Sequence, residues 1–198
     1  MIPPQEDAEA RAHFLIQPGW QNSGPHHWQT LWQAQLGNAA NRVPQQDWLV
    51  PERVTWVKTL KEAIGRTPAP VVVLAHSIGC MATIFAMQAA PVAAVVLVAP
   101  ADAERSNAPG ALHTFRPIPM EPLATPALLV ASDSDPYCTL ERAEAFAQAW
   151  KADIEIVHGG GHINADAGFG PWPDGWGMVG AWLRRHGLGW PEDESTHA

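Results

Sequence analysis

Ser77 stands at the end of the apolar run Val71-Val72-Val73-Leu74-Ala75-His76, and Ile78-Gly79-Cys80 opens a helix-forming stretch directly behind it. A strand that delivers a serine into a tight turn above a helix is the layout of a nucleophile elbow. Such a turn needs small residues two positions to either side, and Ala75 and Gly79 occupy them. Ala75 replaces the first glycine of G-x-S-x-G, so the bare motif is a weaker signal than usual, although a methyl group still fits the turn. The turn would lift the hydroxyl above the sheet edge and aim the next backbone N–H, that of Ile78, where an oxyanion forms.

A serine hydroxyl is a poor nucleophile at neutral pH. It needs a base to take its proton, and the base needs an orienting carboxylate. On an α/β-hydrolase scaffold these follow in the order serine, acid, histidine, each in a loop at the C-terminal edge of the sheet. His162 lies in Gly159-Gly160-Gly161-His162-Ile163-Asn164, just past the strand-like Ile154-Glu155-Ile156-Val157. Its glycines permit backbone conformations closed to other residues. The acid comes from Ser132-Asp133-Ser134-Asp135-Pro136, past the Ala127 to Ala131 run. Asp133 and Asp135 both qualify, and spacing does not separate them; Pro136 biases Asp135 toward extended backbone. An early loop should supply the second oxyanion donor, and Pro18-Gly19-Trp20 fits it, with Trp20 N–H as the donor.

Other reactive side chains read as structural. His76 neighbours the serine but should point away from it, beneath the elbow. His26-His27 and the pair His158 and His162 lack metal-ligand spacing, so neither a metal nor a cofactor is expected. Cys80 should pack under the elbow as a small apolar residue, whereas Cys138 beside the acid loop has room to be exposed.

The elements that must position these residues alternate between strand and helix, which predicts a mostly parallel sheet flanked by helices in one α/β domain. Strands are expected at 12–17, 41–43, 71–75, 93–99, 127–131 and 154–157. Helices are expected at 27–36, at 80–89 up to Pro91, at 140–150 and at 176–185. One more helix should carry Pro51 in its first turn and an inner stripe of Val54, Val57, Leu60 and Ile64, and should stop at Gly65 and Pro68. Residues 100–126 form a proline-punctuated loop, and 191–198 a polar tail. The interval from Ser77 to Asp135 is filled by this core, which leaves no room for a cap domain and predicts a shallow site for short acyl groups. Trp20 and Trp172 are its candidate apolar walls for substrate.

The 198-residue chain is 46% hydrophobic and 16% charged, which excludes disorder. A net charge of −8 disfavours nucleic acid and anionic membrane as partners. No apolar run reaches the roughly 20 residues of a membrane span, and the first residues lack the pattern of a signal peptide. With only two cysteines, a cytoplasmic location is expected.

Pro18-Gly19-Trp20, Ala75-His76-Ser77-Ile78-Gly79-Cys80, Ser134-Asp135-Pro136-Tyr137 and Gly161-His162-Ile163-Asn164 together resemble the small serine hydrolases of the YdeN and retinoblastoma-binding-protein-nine type. The resemblance spans about residues 14–183 and implies a compact α/β-hydrolase. Matched motif by motif, it implies Ser77 as nucleophile, Asp135 as acid and His162 as base, acting on simple esters. The same triad would also serve a thioesterase or an amidase. A protein-binding module on a hydrolase scaffold is the reading from another class, and the family name itself carries a protein partner.

Overall fold

The β-branched and leucine-rich runs form a parallel sheet of six strands in the order β3-β2-β4-β5-β6-β7. These are β2 (His13–Gln17), β3 (Ala40–Arg42), β4 (Val71–His76), β5 (Ala94–Val98), β6 (Ala127–Ser132) and β7 (Asp153–Val157). The structure, a computed structural model, describes residues 10–89 and 92–191. The expected helix stop at Pro91, the polar tail expected past Pro191 and the first nine residues therefore lie outside the described residues. A two-residue strand, β1 (Ala10–Arg11), pairs in parallel with β8 (Leu188–Gly189) in a separate ribbon that has no signal in the sequence.

The central strands read as unbroken apolar runs because helices cover both faces. Their side chains sort by parity. Val71, Val73 and Ala75 of β4 join one core with Val95, Leu97, Leu129 and Ala131. That core is roofed by α2 (Arg53–Arg66), α3 (Ile78–Met87) and α4 (Leu140–Trp150). Val72 and Leu74 join the opposite core with Val96 and Val130, under α1 (Trp28–Leu36) and α5 (Pro173–Arg185). The period of two along each strand thus fixes which helix layer each residue meets. No helix among the described residues is long and apolar enough to cross a membrane.

The start of α2 differs from expectation. Its cap is Glu52, whose carboxylate accepts from Thr55 N–H at 2.8 Å, so Pro51 precedes the cap instead of occupying the first turn. Gly65 lies inside the helix, which runs on to Arg66. Trp56 sets the helical phase: it is buried, and its Nε1–H donates to the Asp47 carbonyl at 3.2 Å. Trp56 and Leu60 therefore face inward, and Val54 is left 65% exposed. The long loop contains a 3₁₀ turn, Gly110–Phe115, that buries Leu112 and Phe115 against the α3 side of the core. Strand β7 is one of the two edge strands of the sheet and stays largely exposed.

Because every pairing in the main sheet is parallel, the loops after β2, β4, β6 and β7 emerge at one edge. These are the loops that carry Gly19-Trp20, Ser77, Asp133 to Asp135, and His162.

The corrected phase of α2 gives an expected outcome. In urea unfolding, Leu60→Ala should lose about 2–5 kcal/mol of stability and Val54→Ala no more than about 0.5 kcal/mol. Equal losses would restore the stripe read from the sequence.

Candidate active site

Ser77 adopts φ 57° and ψ −129°, a conformation that L side chains rarely take. Its N–H is tied to the Val98 carbonyl at 3.1 Å, and its hydroxyl caps no helix N–H. The hydroxyl lies 2.9 Å from His162 Nε2. On the far side of the ring, Nδ1 lies 2.9 Å from Asp135 Oδ2 and 3.1 Å from Oδ1. An ionised carboxylate only accepts, so Nδ1 carries the ring proton and donates it to Asp135. That leaves Nε2 bare to accept from the Ser77 hydroxyl. His162 and Asp135 are both nearly shielded from water, with side chains 9% and 2% exposed.

The two aspartates of the acid loop take different partners. Asp133 reaches the glycine loop, accepting from Gly159 N–H at 2.7 Å and pairing with His158 Nδ1 at 2.7 Å. The Gly159 amide first, and then His158, hold the Asp133 carboxyl below the usual range. Ser134 Oγ accepts from Gly161 N–H at 2.9 Å. Asp133 and Ser134 therefore fasten the loop that carries His162, and Asp135 alone meets the imidazole.

The backbone around His162 is held from below. His76 Nε2–H donates to the His162 carbonyl at 2.9 Å, and the two rings lie 4.8 Å apart. Trp28 Nε1–H donates to the Ile163 carbonyl at 3.0 Å. Ile163 is fully buried at φ 45°, a strained conformation for a β-branched residue. His27 caps α1, its Nδ1 accepting from Gln29 N–H at 3.1 Å. Burial, followed by the charges of Arg42 and His162, pushes His27 down to about 4. Burial likewise holds His76 well below its ordinary value, with His162 and His27 adding to it.

Gly19 and Gly79 bring the loop after β2 against the elbow. A Cβ on Gly19 would stand 2.6 Å from Ser77 Cβ, and one on Gly79 would stand 2.4 Å from the Pro18 carbonyl oxygen. Among the described residues, neither Trp20 N–H nor Ile78 N–H has an acceptor. Ile78 follows Ser77 in the chain and Trp20 follows Gly19, whose backbone abuts Ser77, so both unpartnered amides belong to the segments that meet at the serine.

A cavity of about 370 Å³ opens over Ser77 and His162. Trp20, Pro109, Leu112 and Tyr137 give it apolar surface, and Asn22, His27, Asn164 and Asp166 give it polar surface. Trp172 does not line it. That indole is buried and stacks on Trp32 at 5.5 Å, because the start of α5 packs against the tryptophans of α1. Cys138 is also buried instead of exposed, and burial pushes its thiol up to about 12. Asn22 and Asp166 carry no pattern in the sequence that marks them; only the folded loops bring them to the serine.

A family model described as serine hydrolase matches residues 14–181. A YdeN-like hydrolase from Pectobacterium atrosepticum is 31% identical, with a TM-score of 0.79 over 89% of this chain and 92% of that one. The ydeN product of Bacillus subtilis is 18% identical, with a TM-score of 0.71 over 88% of this chain and 100% of that one. Esterase 2 of Thermogutta terrifontis is 16% identical, with a TM-score of 0.71 over 96% of this chain and 88% of that one. No curated protein matches.

The buried imidazoles give the site an acid-sensitive stability. Both have folded values below the unfolded one, so the unfolded chain binds more protons as pH falls. The His27 contribution is whole above 6.5 and is lost as pH falls toward about 4. That loss is on the order of 3 kcal/mol at most. Thermal melts at about pH 7.5 and about pH 5 should show a smaller loss for His27→Ser, which keeps a capping oxygen, than for the parent protein. Equal losses would mean that His27 takes up its proton freely in the folded state.

Proposed function

This chain belongs to the serine hydrolase family, and on that premise we propose that it is a carboxylesterase-type enzyme that cleaves small acyl esters through a covalent acyl-enzyme. The observation that carries the proposal is the unbroken pair of hydrogen bonds from Ser77 Oγ through the His162 ring to Asp135, both near 2.9 Å.

In the first half-reaction Ser77 Oγ attacks the ester carbonyl while its proton passes to His162 Nε2. Asp135 keeps the ring proton on Nδ1 and stabilises the imidazolium that forms. The N–H groups of Ile78 and Trp20 bind the developing oxyanion, a role supported by their freedom from other acceptors. His162 then returns its proton to the departing alkoxide, and the alcohol leaves. In the second half-reaction water loses a proton to His162 and attacks the acyl carbonyl. Collapse of that intermediate releases the acid and restores the serine. Thioesters and amides would follow the same route, because the acyl-enzyme step is common to all three.

Among the described residues, the interval from Ser77 to Asp135 holds α3, β5, the 3₁₀ turn and β6, with no inserted domain to enclose a long acyl chain. This supports short acyl groups as substrates. Acetate and butyrate esters should accordingly be turned over faster than esters of long fatty acids in a chain-length series.

Replacement of the triad separates the two carboxylates. Ser77→Ala should abolish fluorophosphonate labelling and reduce p-nitrophenyl acetate turnover by about 10³-fold or more. Asp135→Asn should cost about 10²–10⁴-fold, and Asp133→Asn less than about 10-fold, because the amide oxygen can still accept from Gly159 N–H. The reverse ranking would make Asp133 the orienting acid, and labelling that survives Ser77→Ala would remove the nucleophile. Gly19→Ala, whose Cβ would stand 2.6 Å from Ser77 Cβ and so force the loop after β2 and the serine turn apart, should lower kcat by about 10²-fold with the fold retained in circular dichroism.

A further inference from the structure

The polar part of the cavity has an uneven hydrogen-bonding character. Besides Gln21, three neutral polar side chains line it near the β2 and His162 loops, and each of these three has its acceptor atom engaged from within the protein. Asn22 Oδ1 accepts from Ser23 N–H at 2.8 Å and from Arg42 at 2.7 Å. Asn164 Oδ1 accepts from Ala167 N–H at 3.0 Å. His27 Nδ1 accepts from Gln29 N–H at 3.1 Å, so the ring proton sits on Nε2. What these side chains have left to offer a ligand is two amide NH₂ groups, one imidazole N–H and the second lone pair of Asn164 Oδ1.

His27 is the most constrained of the three. It is 5% exposed, it lines the cavity, and among the described residues its Nε2 has no partner. The burial that keeps this ring neutral makes the donor an uncharged one. Asn22 is fixed in the left-handed region at φ 65°, next to Gln21 at φ 67°, so its orientation is set by the backbone as well as by Arg42. Asp166 lines the same cavity and adds a negative charge that repels a second carboxylate on the substrate.

We propose that the site selects esters that carry, beside the scissile carbonyl, a second neutral acceptor oxygen (an ether, hydroxyl or carbonyl oxygen) received by His27 Nε2–H, with the Asn22 and Asn164 amides as further donors. This rests on the esterase reading above and deepens it by naming a substrate class. An ester without that oxygen leaves the His27 donor desolvated and unpaired, which penalises the hydrocarbon analogue.

Substrate pairs in which oxygen replaces one methylene test it. In the acyl arm, p-nitrophenyl methoxyacetate is compared with p-nitrophenyl butanoate. In the alcohol arm, 2-methoxyethyl acetate is compared with butyl acetate. Each kcat/KM ratio is divided by the ratio of the alkaline hydrolysis rates, which removes intrinsic reactivity. The expected result is a corrected preference for the oxygenated member of about 10-fold in at least one arm, and the arm identifies the side of the ester that His27 meets. His27→Ser, whose hydroxyl caps α1 but is too short to replace the ring, should bring that preference to near unity. Asn164→Asp keeps the acceptor for Ala167 N–H and exchanges the donor for an anion, so it should lower the preference too. A corrected preference near unity in both arms of the parent enzyme, or one that both variants leave unchanged, overturns the inference while the esterase reading stands. A parent enzyme inert toward all four esters and toward fluorophosphonate overturns both.

Discussion

The backbone of Pro18 and Gly19 lies directly against the Ser77 turn, and this contact has no space for a side chain on either partner. Gly79 presents bare Cα to the Pro18 carbonyl, and Gly19 presents bare Cα to Ser77 Cβ. The approach places the first loop of the sheet beside the serine, with Trp20 next in the chain after Gly19. It also forms one wall of the cavity, since Trp20, Gln21 and Asn22 follow immediately in the chain. A left-handed serine costs about 1–3 kcal/mol and persists only where its surroundings over-determine it. Here the determinants are β4, buried throughout its length, the Ser77 N–H bond to Val98, and α3, buried almost all round.

The histidine side of the site is held by a second device, and the tryptophans belong to it. Trp28, Trp32 and Trp172 pack together between α1 and the start of α5. Two of these indoles spend their N–H on loop carbonyls, Trp28 on Ile163 and Trp32 on Pro171. A large apolar body with one polar tip suits this task, because it fills the core and pins an irregular backbone at once. His76 does the same beneath His162 itself. The ring that must meet Ser77 is therefore located by its own main chain, which is clamped on both sides before Asp135 orients the imidazole.

The acid loop divides two tasks between side chains two residues apart. Asp133 faces the solvent side and binds backbone N–H and His158, so its charge serves loop geometry. Asp135 is turned inward, out of water, where a carboxylate interacts more strongly with an imidazolium than it would at the surface. In the cavity, Asn22, Asn164 and His27 likewise have their acceptor atoms engaged by the protein's own N–H groups.

Much of this was legible in the order of residue types. The unbroken apolar runs at 71–75, 93–99 and 127–131 read as strands covered on both faces, and their alternation with helical patterns pointed to a mostly parallel sheet. A parallel sheet collects its strand-ending loops at one edge, which is why Ser77, an aspartate from 133 to 135, and His162 could be named together as candidates. Local pattern was least informative where phase or burial depends on distant partners. Val54 fits an inner stripe by spacing, yet Trp56 turned the helix away from it. Trp172 and Cys138 fit a surface by their position in loops, yet neighbouring helices covered them. Spacing did not separate Asp133 from Asp135, since both stand past one strand and a side chain's direction there is set by the turn; only Pro136 and the family resemblance favoured Asp135. The tautomer of His27, the occupied oxygens of Asn22 and Asn164, and the glycine contacts at Ser77 arose only on folding. Each is a matter of fractions of an ångström between segments far apart in the chain, and one-dimensional spacing carries no record of such distances.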